Sequence, residues 1–288
     1  MLANNNKAII NKLAKNSVKT NKKQYAILFF TIILSAFMLF CVFTIGMTYL
    51  DSSRLQNTRL NGAEYDIATM NGFTSEQLNT LRQNEHVRSV GMESYAGFIQ
   101  STEYDKTVEV GLLWCDEVFW DNLMAPARTK LDGHYPQNKN ELMVTKDILK
   151  ACGNENLSVG DSLILTYENN QGVYTDEFII SGIWDGYGDT SAGFVSKAFY
   201  DESGYDLKNN GILCIKLNHN YVFPTTIQSI EKSLDFSDGQ IFAPTGYIEN
   251  SFKLLLGICG LALVICLSAY LLIYNILYLS VSGKIRYY

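Results

Sequence analysis

The chain has 288 residues and a formal net charge of −6, but its charges are strongly segregated. All 29 Asp and Glu residues lie within residues 51–253, which hold 15 Lys and Arg and therefore carry a net charge of −14. An acidic segment of this kind favours cationic ligands and disfavours nucleic acid as a partner. The composition thus predicts that nucleic acid is not a partner of the central part of the chain.

The chain opens with a basic segment, residues 1–23, that contains no acidic residue. Ala8, Ile9, Leu13 and Val18 fall on one helical face, with lysines elsewhere. This pattern predicts a cytoplasmic amphipathic helix that lies on anionic membrane lipid. A disordered lysine-rich tail is the alternative.

Two apolar runs predict transmembrane helices at residues 24–50 and 254–282. Residues 254–283 include no charged side chain, and a helix of that length spans roughly 45 Å, whereas the hydrocarbon core needs only roughly 30 Å. Neither run contains Asp, Glu, Lys, Arg or His, which predicts anchors or levers and not a solute pathway. A cleaved signal peptide is disfavoured for the first run because no small-x-small cleavage motif follows it.

The short flanks outside the two runs carry only basic charges, at Lys7, Lys12, Lys15, Lys19, Lys22, Lys23, Lys284 and Arg286. Short basic flanks stay in the cytoplasm, whereas long domains cross the membrane largely regardless of charge. The sequence therefore predicts a multi-pass protein of the cytoplasmic membrane. Both termini are expected in the cytoplasm, and residues 51–253 outside it.

The central segment has the pattern of an α+β domain with two β-α-β units. The first unit is predicted from a strand at 64–70, a helix from Thr74 and a strand at 86–100, followed by another strand at 107–114. The second is predicted from a strand at 211–217, a helix from Pro224 and a strand near 240–242. Between them, residues of about 130–200 predict a mainly-β insert, with strands at 141–144, 162–167 and 176–183 and a helix at 146–151. These elements predict a two-lobed extracytoplasmic domain.

The cysteines and acidic pairs of this segment offer little support for a disulfide or metal framework. Cys115, Cys152 and Cys214 allow at most one disulfide, and their spacing matches no zinc motif. The pairs Asp185 with Asp189 and Asp235 with Asp238 could hold calcium, but solvated loop carboxylates are favoured because neither pair has EF-hand spacing.

Motifs for nucleotide binding and covalent catalysis are absent from the sequence. No GxxxxGK[ST] loop occurs, and Gly186-Tyr187-Gly188 is interpreted as a glycine-rich hairpin or ligand-facing loop. No GxSxG or SxxK motif supplies a nucleophile. The sequence therefore predicts neither ATP binding nor an enzyme, and it assigns no catalytic, cofactor or metal residues.

One ordered set of short motifs in the insert is more specific. It comprises Gly133-x-x-Pro136, Asn140-Glu141-Leu142-Met143-Val144, Val159-Gly160-Asp161 and Phe178-Ile179-Ile180-Ser181-Gly182-Ile183. This order resembles the extracytoplasmic core domain of MacB/FtsX-like ABC transporter permeases. The resemblance gives structural roles to six residues: Gly133, Asn140, Glu141, Gly160, Asp161 and Gly182. Gly160-Asp161 would form a tight turn before a strand, and Gly182 would relieve crowding on a strand.

The resemblance implies a permease subunit that transmits motion from a separate ATP-binding subunit to the outer domain. It implies no cofactor in this chain, a second permease copy or half as a partner, and a peptide, lipoprotein or cell-envelope protein as the outer ligand. Residues 283–288 would begin a cytoplasmic coupling segment. Contacts to the ATPase would come from Lys284, Ile285, Arg286, Tyr287 and Tyr288.

Members of this family continue into further membrane spans, so this chain is expected to be a truncated or partial permease. The alternative is a two-span extracytoplasmic sensor or binding module without transport function. A membrane-tethered enzyme is a third hypothesis, for which the sequence provides no catalytic residues.

Overall fold

A computed structural model describes residues 6–100, 110–187 and 192–285. The chain divides into two compact units. Met1–Asp51 and Lys253–Tyr288 form the helical unit, and Ser52–Phe252 form the sheet unit.

The helices and strands are numbered here in chain order. The helices are α1 (Asn6–Thr20), α2 (Lys22–Asn61), α3 (Ser75–Gln83), α4 (Lys146–Ala151), α5 (Lys197–Glu202), α6 (Leu207–Asn210), α7 (Pro224–Ser233) and α8 (Gly246–Ile285). The strands are β1 (Ile67–Met70), β2 (Val87–Ile99), β3 (Val110–Cys115), β4 (Arg128–Gly133), β5 (Glu141–Thr145), β6 (Ser162–Asn169), β7 (Gly172–Gly186), β8 (Ala192–Val195), β9 (Ile212–Leu217) and β10 (Ile241–Pro244). A π-helix covers Val118–Leu123, and a short 3₁₀-helix covers Ala125–Ala127.

The helical unit contains two helices that are long and apolar enough to cross a membrane, α2 and α8. This confirms the two predicted apolar helices. Gly46 of α2 packs against Ile258 of α8 so closely that an added Cβ would lie 2.7 Å from the Ile258 side chain. Small residues allow close approach of membrane helices in this way. The predicted amino-terminal helix is present as α1.

Within its described residues, the sheet unit is built on ten strands in one mixed sheet. Their order is β10-β1-β9-β2-β3-β8-β5-β7-β4, with β6 paired to β2 and β7. The two predicted β-α-β units are confirmed as β1-α3-β2 and β9-α7-β10, and their strands interleave because β1 lies between β9 and β10. Thr74 caps α3 and Pro224 begins α7, as the sequence predicts.

Apolar side chains of this sheet form three cores. The first lies under α4 and α5, the second under α3 and α7, and the third beside the π-helix. Strand β2 is 13 residues long and contributes to the first two cores, since Val90 lies in the second core and Ala96 in the first. The predicted lobes therefore share one sheet.

Strand β4 of the insert was not predicted, and the reason is its surface pattern. Strand β4 reads RTKLDG and is almost wholly exposed, so it lacks the apolar alternation that indicates a strand. Gly186 ends β7 instead of lying in a loop. Gly188 and Asp189 lie outside the described residues.

Two motif glycines, Gly133 and Gly160, share a left-handed backbone conformation but differ in their surroundings. Their φ angles are +89° and +95°. A Cβ on Gly133 would lie 2.2 Å from the Ser181 carbonyl oxygen, whereas nothing lies within 4 Å of one on Gly160. Both positions favour glycine, but only Gly133 also needs it for a close backbone approach.

We therefore expect Gly133→Ala to lower the unfolding free energy by about 2 kcal/mol and Gly160→Ala by about 1 kcal/mol. Urea unfolding of the full chain in mild detergent can be followed by tryptophan fluorescence, because Trp114, Trp120 and Trp184 all lie in the sheet unit. Equal losses for the two variants would contradict the role given to the Ser181 contact.

Candidate functional site

The six motif residues meet around a short stretch of β7, Ile179–Gly182. Gly133 pairs with Gly182 across β4 and β7, and the Asn140 carbonyl accepts a hydrogen bond from the Ile179 N–H at 2.8 Å. The Gly160 N–H donates to the Ile180 carbonyl at 2.8 Å, and the Ile180 N–H donates to the Asp161 carbonyl at 2.9 Å.

Glu141 and Asp161, the two carboxylates among the motif residues, each stabilise a turn. Glu141 accepts backbone hydrogen bonds from Gln137 at 2.7 Å and Asn138 at 3.1 Å, and Asp161 accepts one from Ser158 at 2.8 Å. The motif residues thus hold the connections that enter β5 and β6 against the middle of β7, which is a scaffold and not a reactive site.

The residues expected to contact an ATPase lie at the end of α8. Lys284 and Ile285 are the last residues of that helix. Arg286, Tyr287 and Tyr288 lie outside the described residues. Their role stays a prediction.

A buried charge network lies beside the last turns of α2 in the sheet unit. The Lys216 ammonium is 3.1 Å from a Glu64 carboxylate oxygen and 3.3 Å from one of Asp66. Arg54 of α2 lies 3.7 Å from Glu64. Asp66 also accepts a hydrogen bond from the Leu217 N–H at 2.9 Å.

Asp66 connects this network to the start of α8. Its carbonyl accepts a hydrogen bond from the Thr245 N–H at 2.8 Å, one residue before α8 begins. Burial raises the pKa of Asp66, although Lys216 opposes that rise. Within the sheet unit, the end of α2 and the beginning of α8 are therefore both tied to one charged node.

The π-helix Val118–Leu123 borders a large cleft of the sheet unit. Asp116 orients its first turn by accepting hydrogen bonds from the Met92 and Phe119 N–H groups, both at 2.9 Å. Burial raises the pKa of Asp116. π-helices are rare and occur frequently at functional sites.

The cleft has a volume of 780 Å³, within the range of about 300–1,000 Å³ that is typical of ligand pockets. Trp114, Trp120 and Tyr135 line it with aromatic surface, and Asp116, Glu117 and Asp121 line it with carboxylates. Arg128 covers Trp120, with its guanidinium carbon 4.1 Å from the ring centroid. We call this cavity the acidic cleft.

Covalent or metal chemistry has no support in the acidic cleft. Cys115 lines it, but burial raises the pKa of this thiol well above its ordinary value, so the nucleophilic thiolate is disfavoured. All six cysteines are unpaired as thiols, and the part of the chain that the structure describes contains no group of three metal-ligating side chains. Aromatic and acidic surface together can bind cationic or peptide-like ligands.

Sequence reasoning missed both the charge network and the acidic cleft. Lys216 lies 150 residues after Asp66 in the sequence. Only the pairing of β1 with β9 brings it close to Asp66 and Glu64. A local signal existed for the cleft, since residues 114–121 read WCDEVFWD and alternate acidic with aromatic side chains.

No protein-family profile matches the sequence, and no curated protein matches it either. Among solved structures, the chain is similar to the periplasmic region of MacB from Actinobacillus actinomycetemcomitans, with 13% identity and a TM-score of 0.44 over 67% of this chain and 95% of that one. It is also similar to the extracellular domain of the ABC-type transporter YknZ from Gram-positive bacteria, with 13% identity and a TM-score of 0.40 over 63% of this chain and 99% of that one. The solved domains to which this chain is similar thus include that of MacB, the kind of protein that its motif residues predict.

Proposed function

We propose that the chain is a membrane-spanning permease subunit of a MacB/FtsX-like ABC transporter. The observation that carries the proposal is its layout, because two helices with uncharged apolar runs, at residues 24–50 and 254–282, flank an acidic α/β unit that contains the family's motif order. Residues 52–61 of α2 and 246–252 of α8 belong to the sheet unit. In that unit, the charge network around Asp66 contacts the end of α2, and the Asp66 carbonyl binds the residue before α8. The layout fits a subunit whose work is mechanical.

In this proposal, both termini are cytoplasmic and the sheet unit is extracytoplasmic. Residues 1–23 lie on the inner leaflet, 24–50 and 254–282 cross the membrane, 51–253 form the two-lobed outer domain, and 283–288 begin the coupling segment. The basic flanks support this orientation. ATP would bind a separate subunit, and a second permease copy or half would complete the transporter.

The ligand in this proposal is an extracytoplasmic peptide, lipoprotein or cell-envelope protein. The acidic cleft supports such a ligand because its aromatic walls and three carboxylates suit a cationic peptide segment. Each mechanical cycle would move the outer domain against this ligand. No chemistry on the ligand is required of this chain.

Affinity purification of the full chain from membranes, expressed at its own locus, should recover an ATP-binding subunit. The double variant Lys284→Glu/Arg286→Glu should lose most of that subunit at equal permease yield, because it reverses the charge of the coupling segment. The matched double variant Lys12→Glu/Lys15→Glu changes the charge equally in α1 and should retain it. Purification of the unaltered chain without any ATPase would argue against the proposal.

A two-span sensor or binding module is the second candidate, and the acidic cleft would serve it equally well. The same purification separates the two. A binding module would be recovered without an ATPase and with a cytoplasmic signalling partner.

A further inference from the structure

A second cavity of the sheet unit, distinct from the acidic cleft, contains a single carboxylate. Its volume is 310 Å³, and Glu93 of β2 lines it together with Phe119, Trp184, Tyr187 and Phe194. The wall is therefore mainly apolar and partly aromatic, with one acidic group. We call it the Glu93 cavity.

Glu93 forms no salt bridge within the described ranges 6–100, 110–187 and 192–285. Its carboxylate accepts only a weak hydrogen bond from the Cys214 thiol, at 3.9 Å. The other titratable groups that act on it, Tyr65 and Cys115, have pKa values raised by burial and stay neutral near pH 7. A half-buried carboxylate without a cation is unfavourable.

Two cations of the sheet unit, Arg59 and Lys216, have other partners. Arg59 also lines the Glu93 cavity, but its guanidinium carbon lies 4.1 Å from the centroid of the Tyr187 ring. Lys216 is paired with Glu64 and Asp66. The cavity thus provides space and aromatic surface next to a carboxylate that lacks a cationic partner.

We propose that the Glu93 cavity binds a primary ammonium group on a short alkyl chain, with Glu93 as its counter-ion. A volume of 310 Å³ accommodates a group of lysine side-chain size. The aromatic walls add cation–π attraction, which is strongest where the cation is desolvated. Such a group could come from a lysine side chain of a peptide or from a free diamine, and the site does not depend on whether the chain acts in transport.

Calorimetric titration of the full chain in detergent tests the proposal, with 1,5-diaminopentane and N-acetyl-lysine-amide as the probes and 1-pentanol as the uncharged control. We expect saturable binding of at least one amine and none of the alcohol. Affinity should rise at least tenfold from pH 5.5 to pH 8, because burial raises the pKa of Glu93 to about 7 and the ammonium needs the ionised form. A preference for N-acetyl-lysine-amide, which has a free side-chain ammonium, would identify a peptide as the source. A preference for 1,5-diaminopentane would identify a free polyamine.

Glu93→Gln should weaken this binding at least tenfold at pH 8, whereas the matched variant Glu155→Gln, on an exposed loop, should not change it. Amine binding that survives Glu93→Gln would place it outside the Glu93 cavity and overturn the proposal, as would the absence of any saturable amine binding. Thermodynamic coupling between Arg59→Gln and Glu93→Gln in the unfolding free energy would also overturn it, since Arg59 would then occupy the cavity.

Discussion

Lys216→Met should lower the unfolding free energy by about 3–5 kcal/mol at pH 8, among the largest losses expected of any single substitution in this chain. The Lys216 side chain is only 7% exposed, and its partner Asp66 is 2% exposed. Removal of the ammonium leaves the Asp66 carboxylate buried without a cation. The Glu64 carboxylate contributes less to the loss of stability, because it is partly exposed and can turn toward solvent.

The pKa of Asp66 determines how the stability loss of Lys216→Met changes with pH. Burial already raises the pKa of Asp66, and the loss of Lys216 raises it further. A carboxyl group whose pKa is raised in the folded state stabilises the fold below its unfolded pKa, and that stabilisation is lost as the pH rises through the folded pKa. The deficit of Lys216→Met should therefore shrink at pH 5 and be largest at pH 8.

A double-mutant cycle separates this effect from simple loss of packing. Asp66→Asn keeps an oxygen that can accept the hydrogen bond from the Leu217 N–H, so Lys216→Met/Asp66→Asn should recover about 2 kcal/mol relative to Lys216→Met. Lys139→Met is the matched control, because it removes the exposed pair of Lys139 with Glu202 and should change the unfolding free energy very little. If Lys216→Met and Lys139→Met lower the unfolding free energy equally, the charge network around Lys216 has no special role in stability.

The elements that the sequence predicted best are those whose residues carry their own local signal. Helix α4 lies at the predicted residues, and α7 begins at Pro224, because capping and turn residues mark their ends. The π-helix Val118–Leu123 escaped prediction because no periodicity indicates an i to i+5 ladder. Strand order could not be predicted either, since the parallel pairing of β3 with β8 joins residues about 80 positions apart.

The candidate site depends on this same long-range pairing. Asp66 and Lys216 each occur in an unremarkable local sequence, and their proximity follows from the register of Ile67 with Ile215. Glu93 likewise lies in an ordinary local sequence. Its electrostatic environment becomes unusual only when β3 and β9 pair on either side of β2 and enclose it. Sequence patterns predict which strands exist, whereas the electrostatic environment of a residue depends on which strands become neighbours.

Glu93→Gln should raise the unfolding free energy by about 3 kcal/mol at pH 8 and change it little at pH 4. Burial raises the pKa of Glu93 from 4.5 to about 7 in the folded protein. Because each pKa unit corresponds to about 1.4 kcal/mol, ionisation of this buried group costs the folded state about 3 kcal/mol once the pH exceeds the folded pKa. Glutamine has nearly the same shape and no charge to bury, so the variant avoids that cost.

The measurement is urea unfolding of the full chain in detergent at several pH values, with the difference between the Glu93→Gln variant and the unaltered protein as the readout. Other groups titrate in both proteins and largely cancel in this difference, which should grow steadily from about pH 5 to pH 8. Glu155→Gln, which removes an exposed carboxylate, should give a difference near zero at every pH. A difference that does not depend on pH would mean that Glu93 is solvated or already paired with a cation in the folded protein, and its carboxylate would then not be available to an ammonium group.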